Sequence, residues 1–438
     1  VTTRPGGTAP EFASDVNYPA GSDPWSSSPT KVNPGASYIA AGFVPGQGLP
    51  AQVMNYVLNA QKPWLDYQDT LEVRSYSVPV APIYASGHDL AGCVQDNVLI
   101  YEGDNRQFFI AGQDISNLHT NLVLSSSNGQ NWTNDGAPVV AGSVDHPNRI
   151  VWGPGNGIFA FPCNSSSNFF YRRGLDGVWS TVTNTTALKW LAGRWFIDRW
   201  IFAGVSSGPH PAAASWKPTS TTGNAGTGVD LTLPGATSVT LSSTYAPLMA
   251  VGGGTLVIAA TSPVTTPPAA QGNLWVTTDG STFTHVSNPF QSAITSLAWS
   301  EGDQLFYAMC GVTAVGASTS NVYTSPDGIT WTLASTPTII FSHAQTVDTT
   351  LVVGISAAVG GVIVAWAQFL TPDSNIIPGL AIGRNAGLDW DFIPDENQVS
   401  IGGPSLVAIQ AVGNQIATIR KDDGAASAGA FVSYSLRV

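Results

Sequence analysis

Glutamate is rare in this chain: Glu72, Glu102, Glu301 and Glu396 are the only ones after residue 70, so paired-carboxylate chemistry has few places to start. Cleaving a glycosidic bond takes two carboxyl groups across a cleft. The sequence offers Asp389 with Asp391, and Asp395 with Glu396, but acids this close together in a short loop read first as turn formers. Glu102 and Glu301 sit in the short runs YEGD and SEGD, which also read as turns. Arg172, Arg173, Arg194 and Arg199 could gather on one face to hold an anion, and each has a plainer reading as a solvated charge at a strand end. Residues 204–208 (GVSSG) have the spacing of a nucleophile elbow. Pro209, His210 and Pro211 follow instead of the required helix, so that reading is set aside. The six histidines show no metal-ligand spacing, and no glycine-rich loop is built to cradle phosphate. The expectation is no catalytic set, no metal and no cofactor.

The residues with a regular pattern are those that make turns. In 321–333 (NVYTSPDGITWTL) a strand runs into Asp327 and Gly328, and a second strand is led by Trp331. An Asp carboxylate can accept hydrogen bonds from the amides of its own turn, and Gly adopts backbone angles that a side chain resists. The aromatic residue then folds beneath the hairpin. The spacing recurs at Asp279, Gly280 and Phe283, and at Asn128, Gly129 and Trp132 with Asn for Asp. Asp176, Gly177 and Trp179 form a tighter version, and Gly387 with Trp390 keeps the Gly and Trp without the Asp.

These five hairpins resemble the Asp-box (BNR) hairpins of sialidase-like β-propellers. That resemblance implies a structural turn at the outer edge of a blade, away from the central pocket. It carries no catalytic set with it. A sialidase-type site needs three arginines, a Tyr–Glu pair and an Asp, and this sequence shows no recognisable version.

A second repeat lies upstream of the boxes. A hairpin of apolar strand, Gly turn and apolar strand appears at 98–112, 150–163, 188–204, 248–260, 297–310, 357–368 and 408–420. The spacing of about 40 to 60 residues is the period of a four-stranded propeller blade. Outer pairs follow at 120–134, 168–182, 272–286, 321–334 and 379–393, with a longer, irregular one around Trp216 to Leu233. After 416–420 only 430–437 remains, so the last blade lacks a strand. Residues 71–80 can supply it, since SYSVPV echoes the terminal SYSLRV and an open edge is a liability. The expected fold is all-β, a single propeller over 70–438 with seven blades, or six if the irregular region is a loop.

Composition agrees with many short strands and turns. Only 10% of the 438 residues are charged, and Gly, Ser, Thr, Pro and Asn take their place. The net charge of −12 leaves no basic footprint for nucleic acid or an anionic membrane, and no apolar run reaches bilayer length. Nothing at Val1 reads as a signal peptide. Cys163 and Cys310 end apolar strands and, with Cys93, read as unpaired thiols. Trp152, Trp190, Trp195, Trp200, Trp275, Trp299 and Trp366 could stack on sugars or fill the wedges between blades. The polar stretches 209–230 and 262–272 exceed ordinary hairpin loops and read as contact surfaces.

Residues 1–48 differ from the rest: rich in Pro, Gly, Ser and Thr, with isolated aromatics and no strand or helix period. Such a segment orders by lying on another protein. A short helix is expected over 50–62, started by Pro50 with Val53, Met54, Val57 and Leu58 on one face. Asp15 with Tyr18, Pro29 to Lys31, 42–46 (GFVPG), 50–52 (PAQ), Asn55 or Asn59, and Trp64 together are similar to the N-terminal segment of many tailed-bacteriophage virion proteins. The resemblance implies docking of 1–69 to other virion or tail proteins, through Tyr18, Trp25, Phe43, Pro45, Pro50, Val53, Val57 and Trp64. It implies a non-enzymatic component of the particle exterior, assembled in the host cytoplasm. The propeller would then decorate the particle or bind a host-surface glycan or protein, and a homo-oligomer fits that setting. The alternatives are a glycan-cleaving depolymerase or sialidase-like hydrolase, and a bacterial surface lectin-like propeller.

Overall fold

The computed structural model describes residues 81–82, 84–85, 88–91, 99–114, 120–129, 131–136, 147–162, 169–183, 189–206, 208, 210–241, 247–262, 271–290, 294–310, 321–335, 349–357, 362–370, 376–384, 389–394, 406–412, 415–420 and 430–435. The expected helix over 50–62, the arm before it and the strand 71–80 lie outside them. A single 3₁₀ turn, Ala236–Ser238, is the helical element among the described residues. No helix there is long and apolar enough to cross a membrane.

The strands form seven antiparallel sheets among the described residues. Their inner strands are Leu99–Glu102, Pro147–Gly153, Lys189–Phe196, Leu248–Gly252, Ile294–Ser300, Thr349–Ala357 and Leu406–Val412. Each inner strand touches the next, and the seventh touches the first. Sheets in a ring, each a simple up-and-down meander, make a β-propeller. They are called sheets 1 to 7 in chain order. All but the terminal Ser435 of sheet 7 lie in one compact unit, Tyr76–Tyr434. The third is as regular as the others: the stretch expected to be irregular forms Pro211–Pro218 and Gly226–Leu231, paired from Ala213↔Leu231 to Pro218↔Gly226.

Sheet 7 is completed by the start of the described chain. Ala81–Pro82 pairs with Ala430–Ser435 through Ala81↔Phe431 and Pro82↔Ala430. Sheet 1 departs from the pattern. Both His88–Ala91 and Leu99–Glu102 pair along the same edge of Gln107–Asp114, so the inner line is in two pieces. Tyr84–Ala85 forms a short hairpin with His88 and Asp89 beyond it. In sheets 2, 3, 5, 6 and 7 the inner strand carries a register shift near its start, as between Trp190 and Ala192. Such a bulge sharpens the local twist.

The second strand of each sheet explains the core. It is covered on both faces by neighbouring sheets, so it reads as a continuous apolar run rather than an alternating one. Residues 158–161 (IFAF), 256–260 (LVIAA) and 306–310 (FYAMC) are buried throughout. Successive residues face opposite neighbours. Thus Val257 and Ala259 pack towards sheet 5, whereas Leu256 and Ile258 pack towards sheet 3. Between sheets 3 and 4 the connecting segment adds Leu233, Ala236, Val239 and Leu241 to the wedge. Cys310 closes one of these runs as a buried free thiol, and burial pushes its pKa up. Cys93 and Cys163 lie outside the described residues.

Candidate functional site

In an up-and-down meander the turn between strands one and two and the turn between three and four emerge at the same end of the sheet. The described Asp-Gly hairpins therefore share one face with the inner-hairpin turns. Most of the connections at the opposite end lie outside the described residues.

Three hairpins close by one shared set of bonds. At Asp327, Oδ1 accepts from the amides of Ile329 and Thr330, both at 2.8 Å. Ser325 Oγ donates to the same oxygen at 3.0 Å and accepts from the Gly328 amide at 2.8 Å. The Trp331 indole N–H donates back to the Gly328 carbonyl at 2.9 Å. Asp279 repeats this with the Ser281 and Thr282 amides at 2.7 Å and Thr277 in place of Ser325, above a buried Phe283. Asn128 receives the Asn131 amide at 3.0 Å, and Trp132 donates to Gly129 at 3.1 Å. Gly129, Gly280 and Gly328 take φ of 71°, 70° and 75°. The fourth version is looser. Asp176 accepts from the Val178 amide at 3.1 Å, Gly177 has φ 76°, and Trp179 donates to Asp135 at 2.8 Å instead of to its own turn. Trp390 is buried, and Gly387 lies outside the described residues.

These bonds set the acids' charge state. Amides of Thr282 and Ser281, then the Thr277 hydroxyl, hold Asp279 well below the usual carboxylate range. At Asp327 burial opposes ionisation, but the Thr330 and Ile329 amides outweigh it and the pKa falls. On the sheet 3 turn, hydrogen bonds from Lys217 and then Arg199 lower Asp198 to about 2.

Of the four arginines, Arg172 and Arg173 are neither solvated nor on a common face. Arg173 pairs with Asp135 through Nε at 2.6 Å and Nη2 at 3.1 Å, and its guanidinium lies 5.1 Å from the Phe109 ring. Arg172 is fully buried and donates to the carbonyls of Gly223 at 2.6 Å and Ser220 at 2.9 Å, both in sheet 3. Arg199, bonded to the adjacent Asp198 at 2.8 Å, sits partly exposed at a strand end, nearest of the four to the expected solvated charge. Arg194 donates to the Gly193 carbonyl at 2.9 Å. Adjacent residues of a strand point to opposite faces, so Arg172 and Arg173 cannot converge on one anion.

The tryptophans fill the wedges. Trp190, Trp200 and Trp275 are buried, and Trp152, Trp195 and Trp299 are partly buried against neighbouring sheets. Trp299 lies so close over Gly252 that a Cβ there would fall 1.9 Å from the ring. Stacking on a sugar is closed to the buried three; the Trp366 side chain lies outside the described residues. The Ser206 amide donates to the His210 carbonyl at 2.8 Å and strand follows at Pro211–Pro218, so no helix follows the expected elbow position. Ser206 Oγ accepts from the His210 amide at 3.3 Å. The stretch 209–230 is mostly strand, leaving 219–225 as its exposed turn. Asp389 and Asp391 lie in the strand Asp389–Pro394, while Asp395 and Glu396 lie outside the described residues. Among the described residues, no His, Cys, Asp and Glu cluster could hold a metal ion.

No family model and no curated protein sequence matches this chain. Solved structures with a similar fold include the β-propeller domain of Myceliophteria thermophila Cps50 (Swd1), with 11% identity, TM-score 0.47, and coverage of 82% of this chain and 99% of that one. The six-bladed fucose-recognising lectin of Aleuria aurantia has 11% identity, TM-score 0.40, and coverage of 77% and 91%. Hadza microbial sialidase Hz136 has 12% identity and TM-score 0.31, over 40% of this chain and 42% of that one. At these identities and TM-scores the likeness carries nothing about ligand or activity, and the propeller assignment rests on the strand order and ring contacts above.

Proposed function

We propose that this protein is a non-enzymatic structural component of a tailed-phage virion, tail or fibre-associated. Residues 1–69 dock it to the particle, and a seven-bladed propeller is exposed for decoration or for binding a host-surface glycan or protein. The docking half rests on the sequence resemblance in 1–69. The display half is supported by one observation: the acidic side chains named below, at the turns of the described face, are used in holding the fold. Asp104 binds the Gly155 amide and the Trp152 indole, at 2.9 and 3.2 Å. Asp303 accepts from Ser300 and Tyr307 at 2.9 and 2.8 Å. Glu102 holds the Asn105 amide at 2.9 Å, and Glu301 holds the Trp299 indole at 2.7 Å. Asp135, Asp176, Asp198, Asp279 and Asp327 are occupied as described above. Asp279 and Asp327, which each accept two turn amides, are held ionised and make poor proton donors at neutral pH.

The test is incubation of the purified chain with host-surface polysaccharides and sialylated glycans, measuring bound glycan and released sugar together. The proposal expects no release of reducing ends or sialic acid above a heat-denatured control. Release that depends on the folded chain would overturn the non-enzymatic reading in favour of a depolymerase or sialidase-like hydrolase.

A further inference from the structure

Arg172 and Arg173 leave opposite faces of the strand Phe169–Arg173, and in a ring of sheets opposite faces look at opposite neighbours. Arg173 reaches Asp135, which follows the outer strand of sheet 1, and there the carboxylate also takes the Trp179 indole N–H. Arg172 reaches the exposed 219–225 turn of sheet 3. Its Nη1 donates to the Gly223 carbonyl at 2.6 Å and the Thr222 carbonyl at 3.4 Å. Its Nη2 donates to Ser220 at 2.9 Å and, within sheet 2, to Asn156 at 3.5 Å. The guanidinium carbon lies 5.1 Å from the Trp216 ring centroid.

We propose that this dipeptide is a two-way latch joining three sheets, and that the Arg172 guanidinium is the internal cation around which the 219–225 turn is built. Three carbonyls of one short turn converge on the guanidinium, an arrangement that repels itself unless a positive group sits among them. No carboxylate among the described residues forms an ion pair with Arg172, so carbonyl dipoles and the indole face replace the usual counter-ion. Its Nε, buried and without a hydrogen-bond partner, marks a site shaped around the two terminal nitrogens. Burial lowers the Arg172 pKa, and the nearby Asp176 charge opposes that shift. The turn itself has little else to hold it. Residues 219–222 are exposed; the turn's other bonds include the Thr219 amide to Ala225 at 3.1 Å, the Leu175 amide to Thr221 at 3.0 Å, Asn224 to the Thr181 carbonyl at 2.9 Å, and Ser220 Oγ to the Thr222 amide and hydroxyl, both at 3.2 Å.

The proposal makes Arg172→Ala a vacant guanidinium site, and the probe is guanidinium ion itself. The full chain and the variant are subjected to limited proteolysis, with cleavage within 219–225 mapped by mass spectrometry. Cleavage is expected to quicken about ten- to hundredfold, as loss of a single charge-assisted hydrogen bond implies. Guanidinium chloride at a few millimolar, far below denaturing strength, should restore most of the protection, and sodium chloride at equal strength should not. Arg172→Lys keeps the charge but loses the fork, so it should cleave at an intermediate rate without rescue. Cleavage of a folded Arg172→Ala at the wild-type rate, or equal protection by both salts, would overturn the proposal. Should Arg172→Ala not fold, an Arg172→Lys protein with wild-type protection would overturn it as well.

Discussion

Replacing Gly328 by Ala tests whether the Asp-Gly hairpins pack one sheet against the next. Two costs add at this position. Gly328 has φ 75°, a left-handed conformation that costs an L-residue roughly 1–2 kcal/mol. An added Cβ would also lie 2.5 Å from Val257 Cγ2, a short branched side chain fully buried in sheet 4 that has nowhere to withdraw. Overpacking of this kind costs about 1–3 kcal/mol, for a total of about 2–5 kcal/mol. Two other glycines separate the terms. Gly254 has φ 74° with nothing within 4 Å of an added Cβ, so it should show only the backbone cost, roughly 1–2 kcal/mol. Gly280 has φ 70° and meets Phe196 at 3.4 Å, so it should fall between them. The assay is urea unfolding followed by tryptophan fluorescence and by far-ultraviolet circular dichroism. Val257→Ala removes the clashing methyl, so it should cost less in the Gly328→Ala background than alone, with a coupling of about 1–3 kcal/mol. If Gly328→Ala proves no worse than Gly254→Ala, and Val257→Ala shows no coupling, the inter-sheet packing of the box is refuted.

Three further outcomes follow from the same geometry. Asp279 and Asp327 have depressed folded-state pKa values, so the stability they contribute is fully present above the unfolded carboxylate pKa, about 4, and is lost as pH falls through the folded value. Melting temperature should therefore drop as pH falls below about 4, and Asp279→Asn with Asp327→Asn should flatten that slope, as checked by calorimetry; an unchanged slope would count against it. Asp135→Ala leaves the Arg173 guanidinium, only 15% exposed, without its carboxylate and should cost about 3–5 kcal/mol in urea unfolding. Gly252→Ala drives a methyl into the Trp299 ring; it should cost about 1–3 kcal/mol and change Trp299 fluorescence, whereas a wild-type spectrum and midpoint would contradict the contact.

What could be read from the sequence was local. Six of the inner hairpins and five outer pairs were legible because a run such as 256–260 is apolar throughout and each is closed by a short turn, whereas the hairpin expected at 357–368 missed the inner strand of sheet 6, Thr349–Ala357. Box turns were legible because Asp327, Gly328 and Trp331 bond within a few residues of one another. The arginines were misread because their partners are distant in sequence: Asp135 is 38 residues from Arg173, and Ser220 is 48 from Arg172. No local pattern announces such a pair. The polar stretch 209–230 hid a strand pair because Thr227 and Val229, which suit a strand, alternate with Gly226, Gly228 and Asp230, which read as loop. The wedge made by Leu233, Ala236, Val239 and Leu241 had no period of either strand or helix to reveal it. The bulges near the starts of the inner strands left no mark in composition.

The central proposal, attachment through the N-terminal segment and display of the propeller, is tested most directly by incorporation into particles. A phage lacking the gene would be complemented with the full chain or with a chain starting at Thr70, and purified virions probed for each. The account predicts that the shortened chain folds, with the urea midpoint of the full-length protein, yet is missing from virions. Equal incorporation of both would contradict it, and would move the particle-binding surface onto the propeller.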